Sequence, residues 1–195
     1  MNLSRAVFLD KDGTLVEDLP YNIDPALIRF HEGTLACLRA LQQAGHQIIV
    51  VSNQSGIARG YFKEEDLIPV ENHLRRAFCA AGILLSGFYY CPHHPEAEIS
   101  EYAVKCFCRK PWPGMIYRAA GEHGVDLEAS WMLGDILDDI EAGNRARCRT
   151  ILIDNHHETE WDVRPIRRPD FVVNDLPGAV HAILQESGSA GHAEP

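Results

Sequence analysis

Short apolar runs alternate with longer amphipathic stretches along this chain. The runs at 5–9, 47–51 and 150–153 consist mainly of valine, isoleucine, leucine and phenylalanine, which is typical of strands that a parallel sheet buries on both faces. Residues 34–44 place leucine and alanine at helical spacing and are followed by Gly45, which predicts a helix that ends at this glycine.

The same alternation continues through the rest of the chain. Shorter strands are predicted at 87–90, 131–133 and 171–173. Further helices are predicted at 63–81, 114–123, 138–147 and 176–185. Pro69 lies near the start of the first of these helices and is expected to bend or divide it. Strands that alternate with helices predict an α/β fold, a doubly wound parallel sheet with helices on both faces.

Two internal stretches lack a regular period. Residues 91–113 are rich in cysteine, histidine, proline and charge, and 154–169 form a polar, proline-bearing loop. An irregular stretch as long as the first needs its own stabilising device. We predict a single domain over 1–186 with a metal-binding loop at about 91–108, and a disordered tail at 187–195.

Composition narrows the functional classes. The chain has 195 residues, 46% of them hydrophobic, which suits one domain with a real core. A net charge of -10 argues against nucleic-acid partners and against an anionic membrane surface. The sequence shows no transmembrane run and no signal-peptide pattern. We therefore expect a cytoplasmic protein without nucleic-acid or membrane partners, and a monomer because no apolar surface stripe is evident.

Polar residues follow three of the predicted strands. They are the segments 10–12 (Asp-Lys-Asp), 52–54 (Ser-Asn-Gln) and 134–135 (Gly-Asp). Ligands of doubly wound sheets bind beyond the carboxyl ends of the strands, so these segments are expected to meet in one crevice. A single Asp-x-Asp segment is also common in solvated turns.

Carboxylates and cations in this crevice predict phosphate chemistry. Asp10, Asp12 and Asp135 would repel one another without a cation, and oxygen ligands favour Mg²⁺. Arg109 and Lys110 add a planar fork and a point charge that suit phosphoryl oxygens, although two adjacent cations are also typical of solvated surface.

The cysteine-rich segment predicts a second metal site. Cys91 and His93, with Cys106 and Cys108, form the closed Cys₃His set of a structural zinc site. His94 is a less favoured ligand, and free thiols with loop histidines are the alternative. Zinc would fix the irregular loop so that the two cations after it face the crevice.

Four segments together resemble the motifs of the haloacid dehalogenase (HAD) superfamily of phosphohydrolases. They are 10–14 (Asp-Lys-Asp-Gly-Thr), 52–53, 110–111 (Lys-Pro) and 134–135, in the right order across nearly the whole chain. The resemblance implies the Rossmann-like HAD fold. No long insertion follows the first two segments, so we expect no large cap domain and an open crevice.

Longer stretches narrow the resemblance. Residues 52–60, 89–95 and 106–115 resemble the D-glycero-D-manno-heptose 1,7-bisphosphate 7-phosphatase family, which serves lipopolysaccharide core heptose synthesis. The related histidinol-phosphate phosphatases, or another small sugar-phosphate phosphatase, are the alternative. A second alternative is a non-catalytic binding or scaffold protein with the same fold. A missing catalytic aspartate would favour it, but none is missing.

The resemblance implies roles for the crevice residues. Asp10 would be the nucleophile that forms an aspartyl-phosphate, and Asp12 the general acid and then the base. Mg²⁺ would be held by Asp10, the backbone carbonyl of Asp12, and Asp135. Ser52 and Lys110 would hold phosphoryl oxygens. The predicted substrate-binding residues are Asp18, Tyr21, Asn53, Gln54 and Arg109.

One position departs from the family pattern. Ile136 stands where these heptose phosphatases usually carry a lysine near the substrate phosphate, which removes a positive group. Asp139 lies one helical turn beyond Asp135. It would either support the metal through a second shell or be a simple helix N-terminal charge, and the sequence leaves both open.

Overall fold

The computed structural model describes residues 3–159, 161–162 and 164–189. Its six strands are β1 Arg5–Leu9, β2 His46–Asn53, β3 Leu85–Cys91, β4 Trp131–Gly134, β5 Arg149–Ile153 and β6 Phe171–Val173. Its α-helices are α1 Thr34–Gln43, α2 Leu67–Ala80, α3 Gly114–His123, α4 Leu137–Arg145 and α5 Leu176–Ser189. Short 3-10 turns lie at Pro25–Leu27, Glu64–Asp66 and Pro165–Arg167.

The strands form one parallel sheet in the order β3-β2-β1-β4-β5-β6. Helices α1, α2 and α5 cover one face, and α3 and α4 cover the other. Along β1, Val7 and Leu9 pack into the first layer, whereas Ala6 and Phe8 pack into the second. Because successive side chains point to opposite faces, a strand covered on both faces must be apolar throughout. The predicted doubly wound α/β fold is confirmed.

Two predictions about element boundaries need correction. Strand β2 continues through Ser52 and Asn53, which the sequence assigned to a loop, because its ladder with β3 extends to Asn53. Pro69 lies in the first turn of α2, where a proline leaves no hydrogen bond unmade. The predicted helix is therefore divided before this residue, between a 3-10 turn and α2 at Leu67, rather than bent by it.

The predicted tail begins inside the last helix of the structure. Helix α5 continues to Ser189, and Ser187 Oγ donates to the carbonyl of Ile183 at 2.9 Å, one turn earlier. The remainder of that predicted tail, residues 190–195, lies outside the described residues.

The topology brings the polar strand ends together. Strands β2, β1 and β4 are neighbours in the sheet, so the segments that follow them share one edge. The link between β1 and α1 is short and is fastened by isolated bridges of Val16 to Asp12 and Phe30. No cap domain is inserted in this described link, as expected. Within the described residues, no helix has the length and apolar character needed to cross a membrane.

Candidate active site

Three carboxylates meet at the carboxyl ends of β1 and β4. Asp10 follows β1, and its backbone N–H donates to the carbonyl of Leu133 in β4 at 3.0 Å. Ligand oxygens of Asp10, Asp135 and Asp139 all lie within 4.8 Å of one another, and all three residues are buried. The predicted convergence of Asp10 and Asp135 is therefore observed.

Lys110 lies among these carboxylates. Its Nζ is 2.5 Å from Asp10 Oδ1 and 2.5 Å from Asp139 Oδ1, and it donates to the carbonyl of Val51 at 3.1 Å. Burial alone would lower the pKa of Lys110, but the two carboxylates outweigh burial and raise it. Lys110 is therefore a fixed positive charge beside Asp10.

Asn53 holds the backbone of Lys110 in place. The N–H of Lys110 donates to Asn53 Oδ1 at 3.0 Å, and Asn53 Nδ2 donates to the carbonyl of Lys110 at 3.1 Å. Both ends of the amide are thus engaged within the protein. The structure thus gives Asn53, a predicted substrate-binding residue, a contact that positions the lysine.

Asp12 faces away from the carboxylate cluster. Its side chain contacts Lys11 Nζ and accepts from Gln54 Nε2 at 3.2 Å, and the same Nε2 donates to Ser52 Oγ at 2.8 Å. Burial raises the pKa of Asp12, and Lys11 only partly opposes this. Asp10 and Asp12 thus lie in different environments, although they are two positions apart.

Asp139 is part of the site and was missed in the predicted ligand set. It is fully buried and paired with Lys110, so a solvated helix-terminal charge does not describe it. Its Oδ2 also accepts from the N–H of Ile136 at 3.3 Å. The four-residue spacing from Asp135 was the available signal, but only the tertiary structure shows that the side chain turns inward.

The donor set fits a hard divalent cation. Burial and the nearby Asp10 raise the pKa of Asp135 to about 6. Burial, together with Asp10 and Asp135, raises the pKa of Asp139 well above its usual value. Carboxylates held together at this cost are stabilised by a cation. Their oxygen chemistry is that which Mg²⁺ prefers.

Four of the five predicted substrate residues line a cavity beside Asp12. This cavity has a volume of about 260 Å³ and is lined by Asp18, Tyr21, Asn53 and Gln54 together with Asp12. Arg109 lies apart from it, in a neighbouring cavity of about 400 Å³ that Lys110 and Asp138 also line. Arg109 therefore does not line the cavity beside Asp12, and its predicted role in substrate binding stays a prediction.

The four predicted zinc ligands form one cluster. Cys108 Sγ lies 3.0 Å from Cys91 Sγ and 3.2 Å from Cys106 Sγ, and His93 Nδ1 is 3.3 Å from Cys108 Sγ. Around tetrahedral zinc with bonds of about 2.3 Å, sulfur atoms are roughly 3.8 Å apart, so a small expansion accommodates the ion.

The contacts around this cluster also favour a metal. The N–H of Arg109 donates to Cys106 Sγ at 3.3 Å, a contact that supports a ligating thiolate. The hydrogen bond between Cys108 and Cys91 lowers the pKa of Cys108 to about 5 despite burial, and the same contact raises the pKa of Cys91. His94 lies outside the cluster and approaches Arg59 instead, as expected.

The loop after β5 contributes residues that the sequence did not single out. His157 Nδ1 lies 2.7 Å from Asp135 Oδ2, and Asn155 Nδ2 donates to the carbonyl of Gly13 at 2.7 Å. Position 13 has φ +81°, and a Cβ there would collide with Asp135. No motif or period in this polar loop could have indicated these contacts.

Buried carboxylates around a lysine, at the carboxyl ends of the strands of a doubly wound sheet, are the arrangement expected of a phosphoryl-transfer hydrolase of the HAD class. Residues 107–179 match the HAD-hydrolase-like family. The D-glycero-beta-D-manno-heptose-1,7-bisphosphate 7-phosphatase of Escherichia coli strain K12 is 39% identical over 188 residues, which cover 95% of this chain and 96% of that protein. The enzyme of the same name from Yersinia pestis is 39% identical over 181 residues, or 91% and 95% of the two chains.

A solved structure agrees with these relatives. The D,D-heptose 1,7-bisphosphate phosphatase from B. bronchiseptica, complexed with magnesium and phosphate, has a TM-score of 0.79 and 29% identity, over 93% of this chain and 99% of that one. The chain belongs to the D-glycero-D-manno-heptose 1,7-bisphosphate 7-phosphatase family of the HAD superfamily and is a phosphatase.

Proposed function

We propose that this protein is a Mg²⁺-dependent phosphatase that removes the 7-phosphate of D-glycero-D-manno-heptose 1,7-bisphosphate. Its place would be in lipopolysaccharide core and nucleotide-heptose biosynthesis. One observation carries the proposal: Asp10 lies 2.5 Å from Lys110, beside Asp135 and Asp139. A carboxylate held there can attack a phosphoryl group whose charge the lysine balances.

The first step transfers the phosphoryl group to Asp10. A carboxylate oxygen of Asp10 attacks phosphorus, and the bond from phosphorus to the sugar oxygen breaks. Asp12 gives its proton to the departing oxygen, because its raised pKa favours the protonated form. Lys110 and the Ser52 hydroxyl bind phosphoryl oxygens as charge develops.

The second step regenerates the enzyme. Asp12, now a carboxylate, takes a proton from water, and the water oxygen attacks the phosphorus of the aspartyl-phosphate. The bond to Asp10 breaks and inorganic phosphate leaves. Splitting the hydrolysis into two displacements lets one side chain serve as acid and then as base.

Two metals complete the proposal. Asp10, Asp135 and the backbone carbonyl of Asp12 would hold Mg²⁺, with Asp139 balancing Lys110 beside it. Bound Mg²⁺ supplies positive charge that neutralises the phosphoryl oxygens. Zinc at Cys91, His93, Cys106 and Cys108 would be structural, because four protein ligands leave no open position.

The cavity beside Asp12 supports a small sugar phosphate as substrate. Asp18 and Tyr21 offer it polar groups, and Gln54 links it to Asp12. Arg109 would reach the far end of the substrate. The relatives are named for the β anomer, so we propose the same anomer here.

A substrate panel tests the proposal. Phosphate release would be measured with both anomers of the heptose bisphosphate, histidinol phosphate and fructose 1,6-bisphosphate, each with Mg²⁺ and with EDTA. The β anomer is expected to have the highest kcat/KM, and EDTA to abolish release. A preference for histidinol phosphate would move the protein to that activity, and no metal-dependent release from any substrate would overturn the proposal.

The assembly and location are further proposals. We propose that the protein acts as a monomer in the cytoplasm. Light scattering of the purified protein tests the first, where a mass near 21.8 kDa is expected. Fractionation of cells that express the full chain tests the second.

A further inference from the structure

One short segment contacts both the turn that follows β1 and the start of α4, on either side of the site. Residues 154–158 follow β5 directly and lie beside the turns that carry Asp10 and Asp135. Within this segment, Asn155 Nδ2 donates to the carbonyl of Gly13 at 2.7 Å. Glu158 Oε2 accepts from the N–H of Leu137, at the start of α4, at 2.6 Å.

His157 lies between these two anchors. Its Nδ1 is 2.7 Å from Asp135 Oδ2, and about a third of its side chain, 36%, is exposed. Asp135 is almost fully buried, and Thr14 Oγ1 donates to its other oxygen, Oδ1, at 3.3 Å. The carboxylate is thus held at both oxygens, and His157 makes the shorter contact.

We propose that His157 is a positioning residue for the magnesium-holding carboxylate of Asp135. An Nδ1–H that donates to Oδ2 stops the carboxylate from rotating out of the cluster it forms with Asp10 and Asp139. This inference rests on the proposed function, since it takes Asp135 as a metal ligand. Loss of a hydrogen-bond partner of a ligand typically weakens metal binding by about 10- to 100-fold.

The anchors explain why a loop residue can perform this role. Asn155 fixes one end of the segment to the turn after β1, and Glu158 fixes the other to the turn before α4. The ring of His157 is therefore presented by a backbone tied to the two turns that it bridges. Among the contacts of the described residues, His157 is the only side chain of this loop that reaches the Asp135 carboxylate.

Two variants of His157 test the proposal. An asparagine side chain places an amide N–H where the imidazole Nδ1–H lies, whereas alanine provides no donor. His157→Ala is expected to raise by at least about tenfold the Mg²⁺ concentration that gives half of the metal-dependent rise in Tm. His157→Asn is expected to stay within about threefold of wild type, because it keeps the donor.

The neighbouring histidine provides a matched control. The side chain of His156 is 93% exposed, and its φ of +70° is one that asparagine tolerates, so His156→Asn is expected to leave the Mg²⁺ midpoint unchanged. Equal midpoints in wild type and a folded His157→Ala would overturn the proposal, as would an asparagine variant as weak as alanine. Absence of phosphatase activity in the wild type would instead count against the proposed function, since the Mg²⁺ midpoint is measured without substrate.

Discussion

At the scale of single residues, two aspartates that are two positions apart in the sequence lie in different environments. Asp10 contacts Lys110 and belongs to the carboxylate cluster, which suits a nucleophile whose attack the lysine charge supports. Asp12 is partly buried, with Lys11 and Gln54 as partners, and its pKa is raised. Pairs of carboxyl groups with divergent environments are the usual way in which acid and nucleophile are assigned.

Replacement of the nucleophile gives the first prediction. Asp10→Asn is expected to lower kcat by at least about a thousandfold, because an amide cannot form the acyl-phosphate, in line with losses seen when other nucleophiles are removed. The amide keeps an oxygen for Lys110, so the fold should persist. Phosphate release and circular dichroism would be measured together. Wild-type turnover in a folded variant would rule out Asp10 as the nucleophile.

Ile136 gives the second prediction. This partly buried side chain follows Asp135 and adds no charge to the crevice. Ile136→Lys is expected to lower KM for the heptose bisphosphate by about three- to fivefold, the effect of one partly exposed charge pair, with kcat little changed. Ile136→Gln provides a control of similar length without charge. A KM that fails to fall, or falls equally with glutamine, would contradict the electrostatic explanation.

At the scale of elements, the irregular stretch after β3 carries Lys110, the proposed catalytic lysine. Cys91 ends β3, and Cys108 precedes Lys110 by two positions. The metal cluster therefore ties the far end of the loop back to the strand. Two hydrogen bonds between Asn53, the last residue of β2, and the backbone of Lys110 complete the attachment. A loop without regular structure can thus hold Lys110, because the loop is attached both at Cys108 and at the backbone of the lysine itself.

Disruption of the cluster gives the third prediction. Cys106→Ser is expected to lose stoichiometric zinc and to lower kcat/KM at least about tenfold, as loss of a metal-site contact typically does, because Lys110 is no longer held beside Asp10. Zinc content would be measured by elemental analysis alongside phosphate release. Cys79→Ser is the control, since Cys79 is exposed and outside the cluster. A zinc-free variant with wild-type kcat/KM would remove the proposed role of the loop.

At the scale of the whole molecule, a buried histidine that affects stability lies at the amino ends of the strands, opposite the candidate active site at their carboxyl ends. His46 begins β2, pairs in register with Arg5 and is 2% exposed. Neither ring nitrogen has a hydrogen-bond partner among the described residues. Burial, and then the charge of Arg5, lower the pKa of His46 to about 4.

Acid stability gives the fourth prediction. Between pH 6.5 and pH 4 the unfolded chain binds a proton at His46 that the folded protein does not, so the free energy of unfolding falls as pH falls. His46→Leu is expected to remove about 2 kcal/mol of this loss between pH 7 and pH 4. Urea unfolding at several pH values measures it, with exposed His181→Leu as control. Parallel pH profiles for wild type and His46→Leu would contradict the prediction.

The order of the elements could be predicted from the sequence because each part of the pattern has a local cause. Strands buried on two faces must be apolar throughout, so β1 and β5 appear as continuous runs. Glycines after α1 and α2 mark where those helices end. Boundaries were less predictable, because the ladder that extends β2 to Asn53 depends on β3, whose Cys91 pairs with Asn53 from far along the chain.

Much of the candidate site could also be predicted, because its residues occur in short segments with recognisable chemistry. Asp10, Asp135 and the zinc ligands were found in this way, and the structure brings each group together. Asp139 was left open, because a carboxylate in the first turn of a helix can face either solvent or the interior. His157 gave no signal at all, since its role depends on how one loop folds over another.

The sequence by itself determined the fold class, the family and the residue types available for chemistry, because these follow from local periodicity and from segments that lie close together in the chain. Only the tertiary structure decided which side chains share a charge environment. Burial and distance set the different environments of Asp10 and Asp12, the pairing of Lys110 with Asp139, and the contact of His157 with Asp135. These contacts join residues that are far apart in the chain, so no local pattern specifies them.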